Sequence, residues 1–248
     1  MLEGPGINDN GSGSATVLEI ALQMAALGVE PTNRVRFTFW GAEESRLLGS
    51  QFYVDSLSKP ERKDISLYMN FDMVGSPNYV RFVYDGDGSA FGIKGPTGSA
   101  RIKQVFTEHF ESQGLASAPT AFDGRSDYDA FISVGIPAGG LFTGAEGVKT
   151  AEQAAIYGGV AGVAYDPCYH QHCDSLTPVA DGADAALYAQ LAAAYDLEGN
   201  LNMQALEEMA DAAAHATLTF AMTTSAVSGT AEASGESTSL FKGSHLQR

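Results

Sequence analysis

Apolar residues recur along this chain with two alternating periods. Val17, Leu18, Ala21, Leu22 and Ala25 follow helical spacing and predict a helix over residues 14–27, stopped at Gly28. The next run, "RVRFTFW" (34–40), alternates, is rich in β-branched and aromatic residues, and predicts a strand. A helix follows near 46–57, with Leu47, Leu48, Phe52 and Tyr53 as its apolar positions. "SLYMNFDMVG" and "YVRFVYDGDG" predict two further strands, the second ended by an Asp-Gly turn. Helices are predicted over 99–113 and from Ser126 or Asp127, either of which would cap it, through "SDYDAFISVG". "IPAGGLFTG" reads as a short strand, residues 148–167 as partly helical, and 182–196 and 202–221 as two closing helices. From Thr223 the chain turns to Ser, Thr, Ala and Gly, which predicts a domain over 1–222 and a flexible tail over 223–248.

Strands alternate with helices, and the strands are apolar on both faces. That pattern predicts an α/β domain with a mainly parallel sheet covered by helices. Ligands of such sheets gather outside the carboxyl ends of the strands.

Composition narrows the partners. Fourteen basic and 30 acidic residues give a net charge of −16. This excludes nucleic acid and anionic membrane surfaces as expected partners. No apolar run is long enough to cross a bilayer. Cys168 and Cys173 are the two cysteines, and by composition alone they are either free thiols or one small disulfide.

The polar residues that follow the strands carry the candidate chemistry. Asp9 sits in a Gly- and Asn-rich loop before the first helix, and Glu43 and Glu44 follow the 34–40 run. Asp72 ends the next strand, Asp123 and Arg125 precede a helix, and His170 and His172 lie in "PCYHQHCDSL". Each has a structural reading by itself: a turn or cap for Asp9, a solvated helix start for the Glu pair, a surface position for either histidine. Together, several segments deliver carboxylates and imidazole to one rim, a donor set that suits zinc, singly or as a pair. Adjacent glutamates point in different directions, so one is free to act as general base while the other binds metal. A serine hydrolase is disfavoured, because "GSGSA" lacks the last glycine of a nucleophile elbow. The spacing of Gly4, Gly6, Gly11 and Gly13 does not make a dinucleotide fingerprint.

"GINDNGSGSA", "WGAEE", "LGSQFYV", "NFDMVGSPN", "DGRSDYDAF", "GGLFTGA" and "CYHQHCDSL" resemble, in order, segments of the M28 family of zinc aminopeptidases. The resemblance implies a three-layer α/β domain with a mixed central sheet and two zinc ions. It implies that Asp9 bridges both ions, that Glu44 and His170 bind one and Asp72 the other, and that Glu43 is the general base. Tyr169 resembles an oxyanion-stabilising residue, Arg125 and Asp123 resemble residues near the substrate backbone, and Met73 and Phe142 resemble an apolar side-chain pocket. His172 has no ligand counterpart. Cys168 and Cys173 match the family's disulfide. The implied substrates are peptides with a free N-terminus and a large apolar first residue. The implied protein is extracellular and monomeric. Calcium is a further candidate, with Asp181 and Asp184 in the corresponding region.

The chain departs from the family pattern at its start. Such enzymes carry a histidine ligand in a His-x-Asp segment shortly before the bridging aspartate. None of the eight residues before Asp9 is histidine, and the early strands are missing. The expectation is an N-terminally shortened peptidase whose Asp72-side zinc is weakly held. The alternative is a fragment of impaired activity, or a non-catalytic module with the same shell. A single-zinc glutaminyl cyclase is a third reading, disfavoured by the bridging aspartate and the disulfide context.

Overall fold

A computed structural model describes residues 4–177 and 179–228. Strands β1 (Tyr68–Phe71), β2 (Phe82–Tyr84), β3 (Ala118–Thr120) and β4 (Ala138–Phe142) form one sheet in the order β1-β4-β2-β3. β1 runs parallel to β4 and β2 parallel to β3, while β2 and β4 are antiparallel. The sheet is therefore mixed and mainly parallel, flanked by helices, and the chain is an α/β protein.

Alternate residues of β1 serve opposite faces. Met69 and Phe71 pack on a core built from α1 (Gly13–Ala26), α4 (Ser99–Ser112) and α8 (Met203–Met222). Phe106 and Phe110 of α4 are fully buried there, opposite Met209, Ala212, Ala213 and Ala216 of α8. The alanines let α8 approach closely, and the two phenylalanines fill the space this leaves. On the other face Tyr68 stacks on Phe131 of α5 (Tyr128–Ile132), with ring centroids 3.9 Å apart. Val54 of α2 (Leu48–Ser56) and Ile136 complete that second cluster.

The 34–40 run is not a strand. Among the described residues, Val35–Phe39 make no backbone hydrogen bond with another backbone group. A strand exists only where a second backbone lies alongside. Here a cavity of about 880 Å³ separates residues 33–40 from β1. β1 is consequently an edge of the sheet.

Several short elements carry too few residues to show a period. These are α3 (Lys59–Lys63), β3, and the hairpin of β5 (Leu197–Glu198) and β6 (Leu201–Asn202). The loosely helical 148–167 region contains α6 (Ala151–Tyr157), started by a Thr150–Gln153 capping box. α7 (Ala185–Ala192) is capped by Asp184, whose carboxylate accepts the Ala186 and Leu187 amides. One of the two calcium candidates thus serves a helix end, and Asp181 is exposed. Of the predicted tail, Ser225–Ser228 form a short helix, α9, and Val227 is buried in the core. Residues 229–248 lie outside the described residues.

Candidate metal centre

The "INDNG" loop presents Asp9 by fixing the residues on either side of it. Asn8 is fully buried; its amide donates to Asp166 Oδ2 at 2.6 Å and Ser76 Oγ at 3.1 Å. Its Oδ1 accepts the Gly75 amide at 3.1 Å. Asn10 Oδ1 accepts the Gly13 and Met73 amides, and its Nδ2 donates to the Phe71 carbonyl. Both asparagines are thereby tied to residues 71–76, and Asp9 between them faces the carboxyl end of β1. The Asp9–Asn10 peptide is cis.

Glu43 and Glu44 open a single tight helical turn, Glu43–Ser45. His170 sits in the loop closed by the Cys168–Cys173 disulfide, with its ring stacked on Tyr169 at 3.7 Å. The backbone beside three of these groups is left-handed at non-glycine residues: Ala42 before Glu43 (φ 58°), Met73 after Asp72 (φ 55°) and His170 itself (φ 58°). Such conformations persist where the surrounding structure imposes them, and they cluster at functional sites.

Asp9, Glu44 and His170 offer three ligand atoms that all lie within 4.8 Å of one another. His170 Nε2 is 3.0 Å from Asp9 Oδ2 and 3.1 Å from Glu44 Oε1. Yet among the described residues Asp9 Oδ2 and His170 Nε2 are buried without a hydrogen-bond partner, as is Asp72 Oδ1. Close approach without hydrogen-bond geometry is the arrangement of atoms that share a cation. Zinc bonds of about 2.1 Å at tetrahedral angles set donor atoms roughly 3.4 Å apart. The donor set is carboxylate and imidazole, and it fits zinc.

Electrostatics point the same way. Burial, then repulsion from Asp72, Glu44 and their neighbours, pushes the Asp9 carboxyl up to about 9. Burial, followed by repulsion from Asp72 and Glu44, raises Glu43 to about 8. Burial raises Asp72 to about 6, opposed by a hydrogen bond from Ser126. Carboxylates crowded this closely call for positive charge among them.

Next to these groups lies a cavity of about 220 Å³. Met73, Asp123, Arg125, Phe142 and Tyr169 all line it, with Asp9 and Asp72 in its wall. Phe82 packs against Phe142 and Tyr165, giving the pocket an apolar side. Arg125 bridges to Glu146 Oε1 at 2.7 Å and donates from Nη2 to the Tyr169 hydroxyl at 3.2 Å. Asp123 Oδ1 accepts the Tyr128 hydroxyl and the Arg125 amide. His172 is exposed and stands outside the three-ligand group.

One expectation changes here. Ser126 and Asp127 do not cap α5 with their side chains. Ser126 instead donates to Asp72 Oδ2 at 2.6 Å. Sequence reasoning also missed Asp174, Asp166 and Asn200, which form a buried network beneath the Asp9 loop. The only local signal for Asp174 was an aspartate directly after the second cysteine.

A model described as Peptidase family M28 matches residues 1–195 of this chain. An aminopeptidase of Pseudomonas aeruginosa (strain UCBPP-PA14) is 48% identical over 236 residues, 95% of this chain and 40% of that protein. Leucine aminopeptidase 2 of Arthroderma otae is 56% identical over 180 residues, 73% of this chain and 36% of its own length. A solved zinc aminopeptidase from Bacillus subtilis superposes with a TM-score of 0.59 at 26% identity, covering 86% of this chain and 42% of that one. The chain spans about 40% or less of the length of these curated relatives.

Proposed function

The chain belongs to peptidase family M28, and from that premise we propose that it carries the catalytic groups of a zinc-dependent aminopeptidase. The observation that carries this reading is the convergence of Asp9, Glu44 and His170 on one point with unpartnered atoms, beside Glu43.

In this reading Asp9, Glu44 and His170 would hold one zinc. Among the described residues Asp9 and Asp72 would offer a second one two carboxylates, a smaller donor set that would hold it less tightly. Bound zinc supplies Lewis acidity, polarising the scissile carbonyl and lowering the pKa of a water molecule. Glu43 is the general base and passes its proton to the leaving amine; burial and neighbouring carboxylates raise its basicity toward neutral pH. Tyr169 accepts a hydrogen bond from Arg125, which leaves its own O–H free to point at a developing oxyanion. Met73 and Phe142 receive a large apolar first side chain, and the substrate's α-ammonium meets the carboxylate rim. Asp123 and Arg125 lie where the peptide backbone passes. The cysteine pair and the peptide substrate fit an extracellular protein.

The test is zinc content and leucine p-nitroanilide hydrolysis on one purified sample, with Glu43→Gln as control. Zinc with hydrolysis that the control abolishes supports the reading. Zinc without hydrolysis in the wild-type chain supports the alternative of an impaired or non-catalytic module. No zinc and no hydrolysis overturns the zinc-dependent reading and leaves the non-catalytic module.

A further inference from the structure

Tyr68 and Asn70 share one face of β1, because side chains on a strand repeat every second residue, and Asp72 is the first residue beyond its carboxyl end. All three are linked by hydrogen bonds, and the chain of bonds continues in both directions. Trp40 Nε1 donates to the Tyr68 hydroxyl at 3.0 Å, and that hydroxyl donates to Asn70 Oδ1 at 3.1 Å. Asn70 Nδ2 donates to Ser126 Oγ at 2.8 Å, and Ser126 donates to Asp72 Oδ2 at 2.6 Å.

The direction of this relay is set by its two ends. An indole N–H is only a donor, and an ionised carboxylate is only an acceptor. Ser126 must give its proton to Asp72, so it must receive one from Asn70. The Asn70 atom facing Ser126 is therefore the amino group, and its carbonyl faces Tyr68. Tyr68 accepts from Trp40 and gives its proton onward. Every bond points at Asp72, and aligned bonds of this kind polarise and strengthen one another.

We propose that Trp40, Tyr68 and Asn70 are positioning residues for the metal centre: through Ser126 they assign the two oxygens of Asp72 different tasks. Oδ2 is held by the relay. Oδ1, buried and without a partner, is left as the single oxygen facing the metal. The inference rests on Asp72 being a ligand, as proposed above. Hydrogen-bonded partners behind a ligand orient it and tune the metal it holds.

The geometry around Trp40 supports a device rather than a chance contact. Its ring is seated against Tyr53 at 5.2 Å and Phe131 at 6.0 Å, and Phe131 stacks on Tyr68. Trp40 is also the only tryptophan of the chain. Its emission is therefore a local probe at the far end of the relay, and zinc, having a closed shell, is not a paramagnetic quencher.

The experiment titrates the full chain with zinc while following Trp40 emission and, in parallel, heat by calorimetry, for wild type, Tyr68→Phe and Asn70→Asp. Tyr68→Phe cuts the relay. Asn70→Asp inverts it, because an aspartate there accepts the Ser126 proton. The expected result is a metal-dependent emission change in wild type that is lost in Tyr68→Phe. The weaker zinc step should lose affinity by about ten- to hundredfold in both variants, while the tighter step stays in place. Unchanged affinity for the weaker step in a folded variant would overturn the proposal. So would a wild-type emission that stays flat while calorimetry shows both steps filling, a measurement that needs no variant. Absence of any zinc binding in wild type would instead overturn the metal-centre reading itself.

Discussion

The carboxylate of Asp174 accepts the main-chain N–H of Asp9 at 3.1 Å, and its other oxygen accepts the N–H of Asn8 at 2.9 Å. One acidic side chain thus holds the backbone of the loop that presents another. Asp174 in turn receives Asn200 Nδ2 at 2.8 Å, so it is anchored from behind. Asp174→Ala leaves these donors without an acceptor, at about 1–3 kcal/mol for each buried group. The variant should unfold at lower temperature and bind zinc more weakly. Thermal unfolding with and without zinc separates the two effects: an equal loss in both states would show that Asp174 has no part in holding Asp9 for the metal.

Glu43→Gln keeps size and removes the base. Hydrolysis should fall by about 10²–10⁴-fold, the usual contribution of general base catalysis. Zinc content should not change, because Glu43 is outside the ligand group. Metal analysis beside the kinetic assay checks both halves of the statement.

Arg125 is exposed and bonded to Glu146 and Tyr169. Arg125→Ala should leave the melting temperature nearly unchanged, since exposed ion pairs contribute little. It should slow turnover, because the Tyr169 hydroxyl loses the donor that orients it. Equal losses in kcat and kcat/KM are expected for an interaction made in the transition state; a pure rise in KM would argue for substrate anchoring instead.

Zinc and protons compete for the same groups. Asp9 is raised to about 9 and Asp72 to about 6 in the metal-free fold, against ordinary values near 4 in the unfolded chain. The folded state therefore binds protons that the unfolded state has already released. Stability from this source is fully present below pH 4 and is lost as pH rises through 6 and then 9. Zinc reverses the trend by neutralising the carboxylates. The rise in melting temperature on adding zinc should grow steadily from pH 5 to pH 9, with proton release on binding seen by calorimetry in buffers of different ionisation heat.

The core substitution Phe106→Ala gives a scale for these effects. Phe106 is fully buried between β1 and α8 and meets Phe71 edge-on at 6.2 Å. Its truncation should cost about 3–5 kcal/mol, measured by denaturant unfolding.

Much of this was legible before any coordinates. The stripe of α1 and the apolar runs of β1, β2 and β4 are local patterns long enough to register. The sequence pointed to Asp9 through its Gly- and Asn-rich loop, to Glu44 through the apolar run before it and to His170 through the two close cysteines, and the fold brings these three side chains together. The 34–40 run misled, because alternation describes a segment's preference and says nothing about a neighbour. The supporting polar residues were hidden for a related reason. Asn8 meets Ser76 and Asp166, and Asn70 meets Ser126, across long stretches of chain that no short motif spans. Ser126 was assigned to a helix end, where its type is common; the carboxylate it serves lies 54 positions away.

The space between residues 33–40 and β1 also divides the protein by how readily its amides meet water. The 34–40 ribbon is fastened near its two ends: Asn33 to the Phe220 and Ala221 carbonyls, and Trp40 to Tyr68. Between those fastenings the amides of residues 35–39 have no backbone acceptor among the described residues, so they should exchange with deuterium within moments of dilution. The amides of β4, paired on both sides, should hold their protons until much larger openings occur. The candidate site has Glu43 and Glu44 just beyond the ribbon that should exchange readily and Phe142 at the end of the strand that should not, so one of its walls should open far more often than the other.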